Sequence, residues 1–405
     1  MSGDYSVCYL IKVEPGANNN KYWKAMAQGD HFDVEYGRVG GTAQKYSYPI
    51  SQWNKKYNEK LRKGYVDRTD LVEDLIEKEK PSALDGYREI ENKAIAEIVS
   101  RLQAMAKKAV AENYTISSSK VTMAMVAAAQ DQLAKMAGMG ESSVEEFNRA
   151  LIELFGIIPR KMGQVSSYIA TAQSEYGRIL EREQDLLDVM RGQVYVPSND
   201  AKDDSVQETN SQTILEEKGL VFEEVTPNDI AVIKSALGSC ADKFCRAWRV
   251  INLATQKKFD EYIKDGVKTK LLWHGSRNEN WWSIVGSGLV LRPTNAVITG
   301  KMFGYGIYFA TKARKSLGYT SLSGSYWAHG SSPSAFMGLY EVAYGKPYNV
   351  YSFDSKFYSL NYEGLQKMCP EANCLHAHEG QMLRNDEIIV YQECQTTIKY
   401  LVELK

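Results

Sequence analysis

Apolar and polar positions alternate in short runs over about the first 80 residues, take on helical spacing through the middle of the chain, and return to short alternating runs further on. Residues 5–13 (YSVCYLIKV) and 32–36 (FDVEY) read as β-strands, punctuated by turn signals at 16–20 (GANNN) and at Gly40 and Gly41. Trp53, Tyr57 and Leu61 recur every four positions, so residues 51–62 read as a helix with one apolar face. A small twisted sheet carrying one helix is the expectation for this segment.

From residue 88 to 191 Ala, Met, Leu, Glu and Lys dominate. Ile90, Ala94, Ile98, Leu102, Met105 and Ala109 step at helical spacing, and so do Tyr168, Ala172, Tyr176, Ile179, Glu183 and Leu187. The string SVEE at 143–146 is a capping box, and the serines at 117–119 are N-cap residues for the helix before it. A bundle of four or more helices is expected, with its Met and Ala serving as core packing. Residues 193–219 lack periodicity and carry Asp200, Asp203, Asp204, Glu208, Glu216 and Glu217 against Lys202 and Lys218, which reads as an acidic linker or exposed loop. Short strands then return at 268–273, 306–310, 338–343 and 387–391. The expected fold class is therefore multidomain α+β: a small β-sheet plus helix (1–85), an all-α helical bundle (86–192), the linker (193–219) and a mainly antiparallel α+β domain (220–405).

The length of 405 residues fits two to three domains. With 49 Lys and Arg against 50 Asp and Glu, the net charge of −1 argues against a wholly basic nucleic-acid binder. Between residues 36 and 68, however, Arg38, Lys45, Lys55, Lys56, Lys60, Arg62, Lys63 and Arg68 face only Glu59 and Asp67, a local net of +6. Basic residues interleaved with Tyr and Trp suit phosphate contact with base or sugar stacking, and equally suit a solvated helix face. Six cysteines are too few for a disulfide framework, and the N-terminal MSGDYSVCYL has no signal pattern, so a reducing compartment is expected. The longest apolar run, near residues 121–129, falls far short of the roughly 18 residues of a membrane span.

Three strings place functional side chains at strand ends: LLWHGSR at 271–277, FGYGIYFA at 303–310 and NDEIIVY at 385–391. Each is a weak signal alone. Together they resemble the poly(ADP-ribose) polymerase family of ADP-ribosyltransferases. His274, Tyr308 and Glu387 stand in the order of that family's His, Tyr and Glu set, and Lys315 and Ser316 precede Tyr319 as in the segment lining its nicotinamide pocket. The string KYLVELK at 399–405 is similar to its last strand, and the likeness runs from about residue 222 onward. Upstream, residues 117–136 and LFGIIPRKMG at 154–163 resemble the helical regulatory domain of DNA-dependent members, while NNNKY at 18–22 and YGRVG at 36–40 resemble their WGR domain. Tyr36 replaces the motif's Trp, keeping an aromatic face of smaller area. No zinc-finger array stands ahead of these strings in this sequence, an order similar to the short, WGR-only members.

Splitting NAD+ at the nicotinamide riboside bond expels a neutral amide from a pyridinium, so the second carboxylic acid of a glycosidase is unnecessary. One carboxylate and two aromatics meet the need to stabilise an oxocarbenium-like ribose and to hold the ring between flat surfaces. The resemblance implies that Glu387 binds the 2′-hydroxyl, stabilises the developing charge and aligns the acceptor hydroxyl. It implies that Tyr308 and Tyr319 sandwich the ring, that Gly275 holds the carboxamide with Ser316 adding a bond, and that His274, with Ser276 and Asn280, anchors the adenosine ribose. Lys315 reads as an electrostatic contributor or as an exposed strand-end lysine. NAD+ is then substrate with no permanently bound cofactor; the partners are DNA strand breaks (5′-phosphorylated ends or nicks) and acceptor proteins including the enzyme itself, with no membrane. Localisation is the nucleus in a eukaryote and otherwise a DNA-associated cytoplasmic pool. Asn19, Asn20, Lys21, Tyr22, Tyr36 and Arg38 occupy the DNA-binding motif positions, while Lys55, Lys56, Arg62 and Lys63 rest on charge.

Three activities compete: a DNA-break-stimulated polymerase whose helical bundle restrains the NAD+ site, a mono-ADP-ribosyltransferase, and an inert DNA-end-binding scaffold. Glu387 argues against the second and the intact His, Tyr and Glu set against the third. Outside the family pattern, Cys369, Cys374, His376 and His378 put four zinc-ligand types in ten residues, a structural zinc site or an ordinary surface loop.

Overall fold

The computed structural model describes residues 7–69, 87–114, 121–194, 212–291 and 302–405. These divide into two compact units, one of residues 7–69 and 107–194, the other of residues 87–106, 212–291 and 302–405.

In the first unit β1 (Val7–Glu14), β2 (Asn19–Gln28), β3 (His31–Arg38), β4 (Gln44–Pro49) and β5 (Val66–Asp67) form an antiparallel sheet of order β4-β3-β2-β1-β5. Helix α1 (Trp53–Arg62) follows a 3₁₀ turn at Ile50–Gln52. Its Trp53 meets Phe32 edge-on at 5.1 Å between ring centroids, closing a core of Cys8, Leu10, Trp23, Ala25 and Val34. The turn is shorter than its asparagine run: Asn18 takes the left-handed conformation (φ 47°), and Asn19 and Asn20 already pair with Glu14 and Val13 across β1.

Four longer helices follow: α2 (Lys93–Asn113), α3 (Met123–Ala137), α4 (Val144–Ile157) and α5 (Tyr176–Val194). The capping box at Ser143 is present, its hydroxyl accepting from Glu146 N at 3.3 Å while Glu146 accepts from Ser143 N at 3.0 Å. The serines at 117–119 lie outside the described residues, and α3 is capped by Thr122, whose hydroxyl accepts from Met125 N at 3.1 Å. Tyr168 and Ala172 precede α5, Tyr168 in a 3₁₀ turn, so their shared period with Tyr176 is not one continuous helix. Phe147 stacks on Tyr176 at 3.8 Å, and a Cβ on Gly156 of α4 would lie 3.5 Å from Ile11 of β1. Helices α3, α4 and α5 thus share one unit with the small sheet.

The second unit holds α6 (Ile214–Glu217), β6 (Leu220–Glu224), α7 (Pro227–Leu237), β7 (Phe244–Asn252), α8 (Leu253–Ile263), β8 (Thr269–Gly275), α9 (Trp281–Ser287), β9 (Ile307–Ala310), α10 (Ala313–Leu317), β10 (Ala335–Ala343), β11 (Pro347–Val350), α11 (Tyr362–Met368), β12 (Cys374–Ala377), β13 (Glu387–Val390) and β14 (Thr396–Leu404). The nine strands run β11-β12-β13-β9-β8-β10-β14-β7-β6, antiparallel except for the β11–β12 pair, as the mainly antiparallel reading requires. β10 and β14 are buried on both faces, which is why they read as nearly continuous apolar runs. Part of the acidic stretch is ordered: Thr213 and Glu216 cap α6 reciprocally and Leu215 is buried.

Glu403 of β14 is 1% exposed and binds Arg101 of α2 (2.7 and 3.2 Å) and Arg246 of β7 (3.1 Å); Arg246 also pairs with Glu97 of α2. The N-terminal half of α2 is thereby fastened to the large sheet. Among the described residues no helix is long and apolar enough to cross a membrane.

Candidate functional site

β9 and β13 lie side by side, with Glu387 opposite Ala310 and Ile389 opposite Tyr308. Residues two apart on a strand share a face, so Tyr308 and Glu387 project from the same side of the sheet. Glu387 is 8% exposed, and its Oε1 pairs with Nζ of Lys315 from α10. Lys315 therefore stands on a helix, largely buried against the carboxylate; it is not an exposed strand-end residue. The Tyr308 hydroxyl donates to Gly304 O at 2.9 Å and accepts from Phe303 N at 3.0 Å, which pins the ring. Burial holds this phenol far above its ordinary pKa; the Phe303 bond offsets that in part and the Glu387 charge adds to it, so the phenol stays protonated. Gly304 has φ +74°, and a Cβ there would fall 2.1 Å from Leu360 O, so only glycine lets this loop close.

The end of β8 meets α10 backbone to backbone. A Cβ on Gly275 would lie 1.9 Å from Ser316 O, and the buried Ser316 hydroxyl donates to Trp273 O at 3.0 Å. Its proton is spent within the fold, so towards a ligand the oxygen acts as an acceptor, a match for a carboxamide N–H. His274 Nδ1 lies 3.0 Å from Tyr308 O, and a carbonyl only accepts, so Nδ1 carries the proton. Asn280 is buried and donates to Ser276 Oγ at 3.0 Å, so it orients Ser276 from behind. Tyr319 is 40% exposed.

Several contributors escaped the sequence reading. Trp327 stacks beside Tyr319 (6.1 Å, 18°), and the N–H groups of Trp327 and Ala328 both bind Gly318 O. Asn278 braces the loop after β8 by accepting from Phe336 N and donating to Ser334 O. The first lies in a string that reads as loop, and the second is one of many asparagines; neither carried a sequence signal.

The N-terminal candidates are less open than their motif positions imply. Asn20 is fully buried and donates to Arg160 O at 3.0 Å, while Arg38 binds Asn18 O (2.7 Å), Met162 O (3.2 Å) and Gly163 O (2.7 Å). The carbonyls of Arg160, Met162 and Gly163 belong to irregular backbone beyond α4, where helical partners have run out, and that of Asn18 to the β1–β2 turn. Asn19 donates to Glu14 and the Tyr22 hydroxyl to Glu35. Tyr36 retains the aromatic packing expected of it and carries Lys60 5.4 Å above its ring. Lys56 sits over Tyr48 and Lys63 pairs with Glu59, whereas Lys21, Lys55 and Arg62 are exposed.

The cysteine and histidine string does not gather as one ligand set. It is no surface loop either: Cys374 and His376 are buried in β12. Cys374 donates to Tyr344 O at 3.2 Å, and burial pushes its thiol up to about 12; Cys369 closes α11.

With this geometry in place, the chain matches the poly(ADP-ribose) polymerase catalytic domain over residues 232–405 and the WGR domain over residues 6–72. It is 33% identical over 233 residues to the uncharacterized protein 101L of Invertebrate iridescent virus 6, covering 57% of this chain and 94% of that one. The chain belongs to the poly(ADP-ribose) polymerase family. The putative poly [ADP-ribose] polymerase-like 100L of the same virus is 32% identical over 189 residues, 45% of this chain and 97% of that one. Human poly [ADP-ribose] polymerase 2 is 32% identical over 162 residues, which cover 33% of this chain but 26% of the human protein. Residues 232–405 of the second unit thus form a catalytic domain of the poly(ADP-ribose) polymerase type, a kind of domain that uses NAD+ as substrate.

Proposed function

We propose that this protein is a DNA-break-stimulated ADP-ribosyltransferase that builds poly(ADP-ribose) on acceptor proteins, itself included. The observation that carries the reading is the buried Glu387 carboxylate, paired with one lysine and sharing a sheet face with Tyr308. NAD+ would lie with its nicotinamide between Tyr308 and Tyr319, its carboxamide on the Gly275 backbone and Ser316, and its adenosine ribose against His274 and Ser276. The C1′–N bond breaks with its electron pair leaving on nicotinamide, which departs neutral. Glu387 accepts from the ribose 2′-hydroxyl and stabilises the positive charge that grows on the sugar. The acceptor hydroxyl then bonds to C1′ and its proton passes to the Glu387 carboxylate.

The exposed Lys21, Lys55 and Arg62 supply phosphate contacts for a DNA end, and the helices of residues 86–192 form the regulatory bundle whose state DNA shifts. In a eukaryotic host the enzyme works in the nucleus. The test is nicotinamide release from NAD+ with and without 5′-phosphorylated nicked duplex, with product length read on a gel. Release stimulated at least about tenfold by DNA, with a polymer ladder, is expected. Absence of release refutes the transferase, equal release refutes the DNA dependence, and single-unit products turn the reading to mono-ADP-ribosylation.

A further inference from the structure

A cluster on the sheet next to Glu387 has no part in that reaction. One nitrogen each of His376 and His378 and a carboxylate oxygen of Asp386 lie within 4.8 Å of one another. His376 Nε2 is 2.9 Å from Asp386 Oδ2, and the two imidazoles stack at 3.8 Å and 23°. The remaining polar atoms of the three side chains are held from outside. His376 Nδ1 is 2.8 Å from the Tyr344 hydroxyl, His378 Nε2 is 2.8 Å from Asn349 Oδ1, and Asp386 Oδ1 accepts from Glu379 N at 2.8 Å. Tyr351 covers His378 in a parallel stack at 4.4 Å.

Oxygen partners on the far nitrogen fix ring orientation and tautomer in metal-binding histidines, and both rings have one here. Because Asn349 Oδ1 only accepts, His378 carries its proton on Nε2 and presents Nδ1 with a lone pair. We propose that His376, His378 and Asp386 form a site for one divalent transition-metal ion of the zinc class, with the fourth position taken by water. Two imidazoles and a carboxylate are a donor set that zinc-class ions accept. Bonds of about 2.0–2.1 Å place tetrahedral ligand atoms about 3.4 Å apart, so closing the cluster brings the ligand atoms together by about 1.5 Å or less and turns the imidazoles out of their stack until both lone pairs converge on the ion. His376 and Asp386 side chains are 9% and 25% exposed, which leaves a path for the ion. On binding, the His376 proton moves from Nε2 to Nδ1, where the Tyr344 hydroxyl accepts it. The thiols of Cys369 and Cys374 stay outside the site. Asp386 immediately precedes Glu387, so the ion would fix the entry to the strand that carries the carboxylate.

The test uses the full chain, stripped with a chelator and titrated with Co2+ by visible absorption and with Zn2+ against a chromophoric chelator. One equivalent should bind, with ligand-field absorption. Cys369→Ser should leave binding unchanged, His378→Ala and Asp386→Asn should abolish it, and Asn349→Ala, which keeps all three ligands, should weaken it about 10–100-fold. Near-ultraviolet circular dichroism confirms that each variant is folded, and Asn349→Ala carries the test if a ligand variant is not. Binding of less than about a tenth of an equivalent, unchanged affinity in both Asp386→Asn and Asn349→Ala, or loss of the site in Cys369→Ser would each overturn the proposal.

Discussion

Replacing Gly275 by alanine tests the backbone contact on which the proposed NAD+ pocket is built. The new Cβ would stand 1.9 Å from Ser316 O, 2.8 Å from its carbonyl carbon and 3.3 Å from its Cα, and Cβ contacts under 3.0 Å are essentially never found. β8 and α10 must therefore part by about 1.1 Å along that line. No flexible side-chain end absorbs the shift, because all three atoms are backbone. The same Ser316 carbonyl accepts from Tyr319 N at 3.1 Å, and the Ser316 hydroxyl ties α10 to Trp273, so the displacement reaches Tyr319 and Lys315. A misplacement of about 1 Å in reacting geometry costs about 100-fold in rate, or about 2.7 kcal/mol of transition-state stabilisation. Overpacking on this scale costs stability as well, about 1–3 kcal/mol. We expect kcat/KM for nicotinamide release to fall at least about 100-fold in a protein that remains folded at 25 °C with a lowered Tm. Gly286→Ala in α9 is the control, since its Cβ would meet nothing within 4 Å and activity should be unchanged. A Gly275→Ala enzyme within about threefold of wild type and with an unshifted Tm would refute the close approach.

Lys315→Met should lower kcat about 10–100-fold with little change in KM for NAD+, and Lys315→Arg should fail to restore it; recovery by arginine would show that charge alone suffices. Burial alone would raise the Glu403 carboxyl, but its bonds to Arg101 and Arg246 outweigh that and lower it. A lowered carboxyl stabilises the fold fully above its unfolded pKa of about 4.3 and loses that contribution as pH falls through the folded value. Arg101→Met should therefore cost about 1–3 kcal/mol at neutral pH and move acid unfolding to higher pH, as read by thermal melts across the acid range. Asn20→Ala should destabilise the first unit by about 1–3 kcal/mol in urea and leave the salt dependence of DNA binding unchanged. Lys55→Ala and Arg62→Ala should each reduce the salt slope by about one at unchanged stability; equal slopes would return both residues to a solvated helix face.

What the sequence made legible depended on how far apart the partners lie along the chain. Short apolar runs revealed part of each sheet, β1 and β3 in the first and β8, β9, β10 and β13 in the second, and the strings around His274, Tyr308 and Glu387 stood out because each closes or opens a strand. Lys315 was named by the resemblance, but its place on a helix was not legible, because α10 has five residues and a helix that short shows no period. The Asn20 and Arg38 side chains meet carbonyls more than 120 residues away, and Glu403 binds cations 302 and 157 residues away; no local pattern encodes either. The cysteines misled for a related reason. Cys374 and His376 do share a face of an extended strand, but Asp386, which completes the cluster, comes from the approach to the neighbouring strand, and that pairing register is set by tertiary structure.

Two buried carboxylates of the large sheet show how this fold separates structure from chemistry. Glu403 is held by two arginines, and Arg101 alone reaches both of its oxygens, so its lone pairs are committed to the α2 latch. Glu387 is also buried, though less completely, and meets one lysine through one oxygen. An ammonium is a compact point charge and does not fork across a carboxylate, so it offsets the cost of burying Glu387 without occupying the second oxygen. On the proposed reading, that second oxygen is the acceptor offered to the substrate. It becomes useful only when a donor arrives whose hydrogen bond strengthens as charge builds on the attached carbon, as a ribose 2′-hydroxyl does. On the proposed function, one carboxylate therefore serves as a clamp and the other as a receptor, and the difference lies in the geometry of the cation beside each.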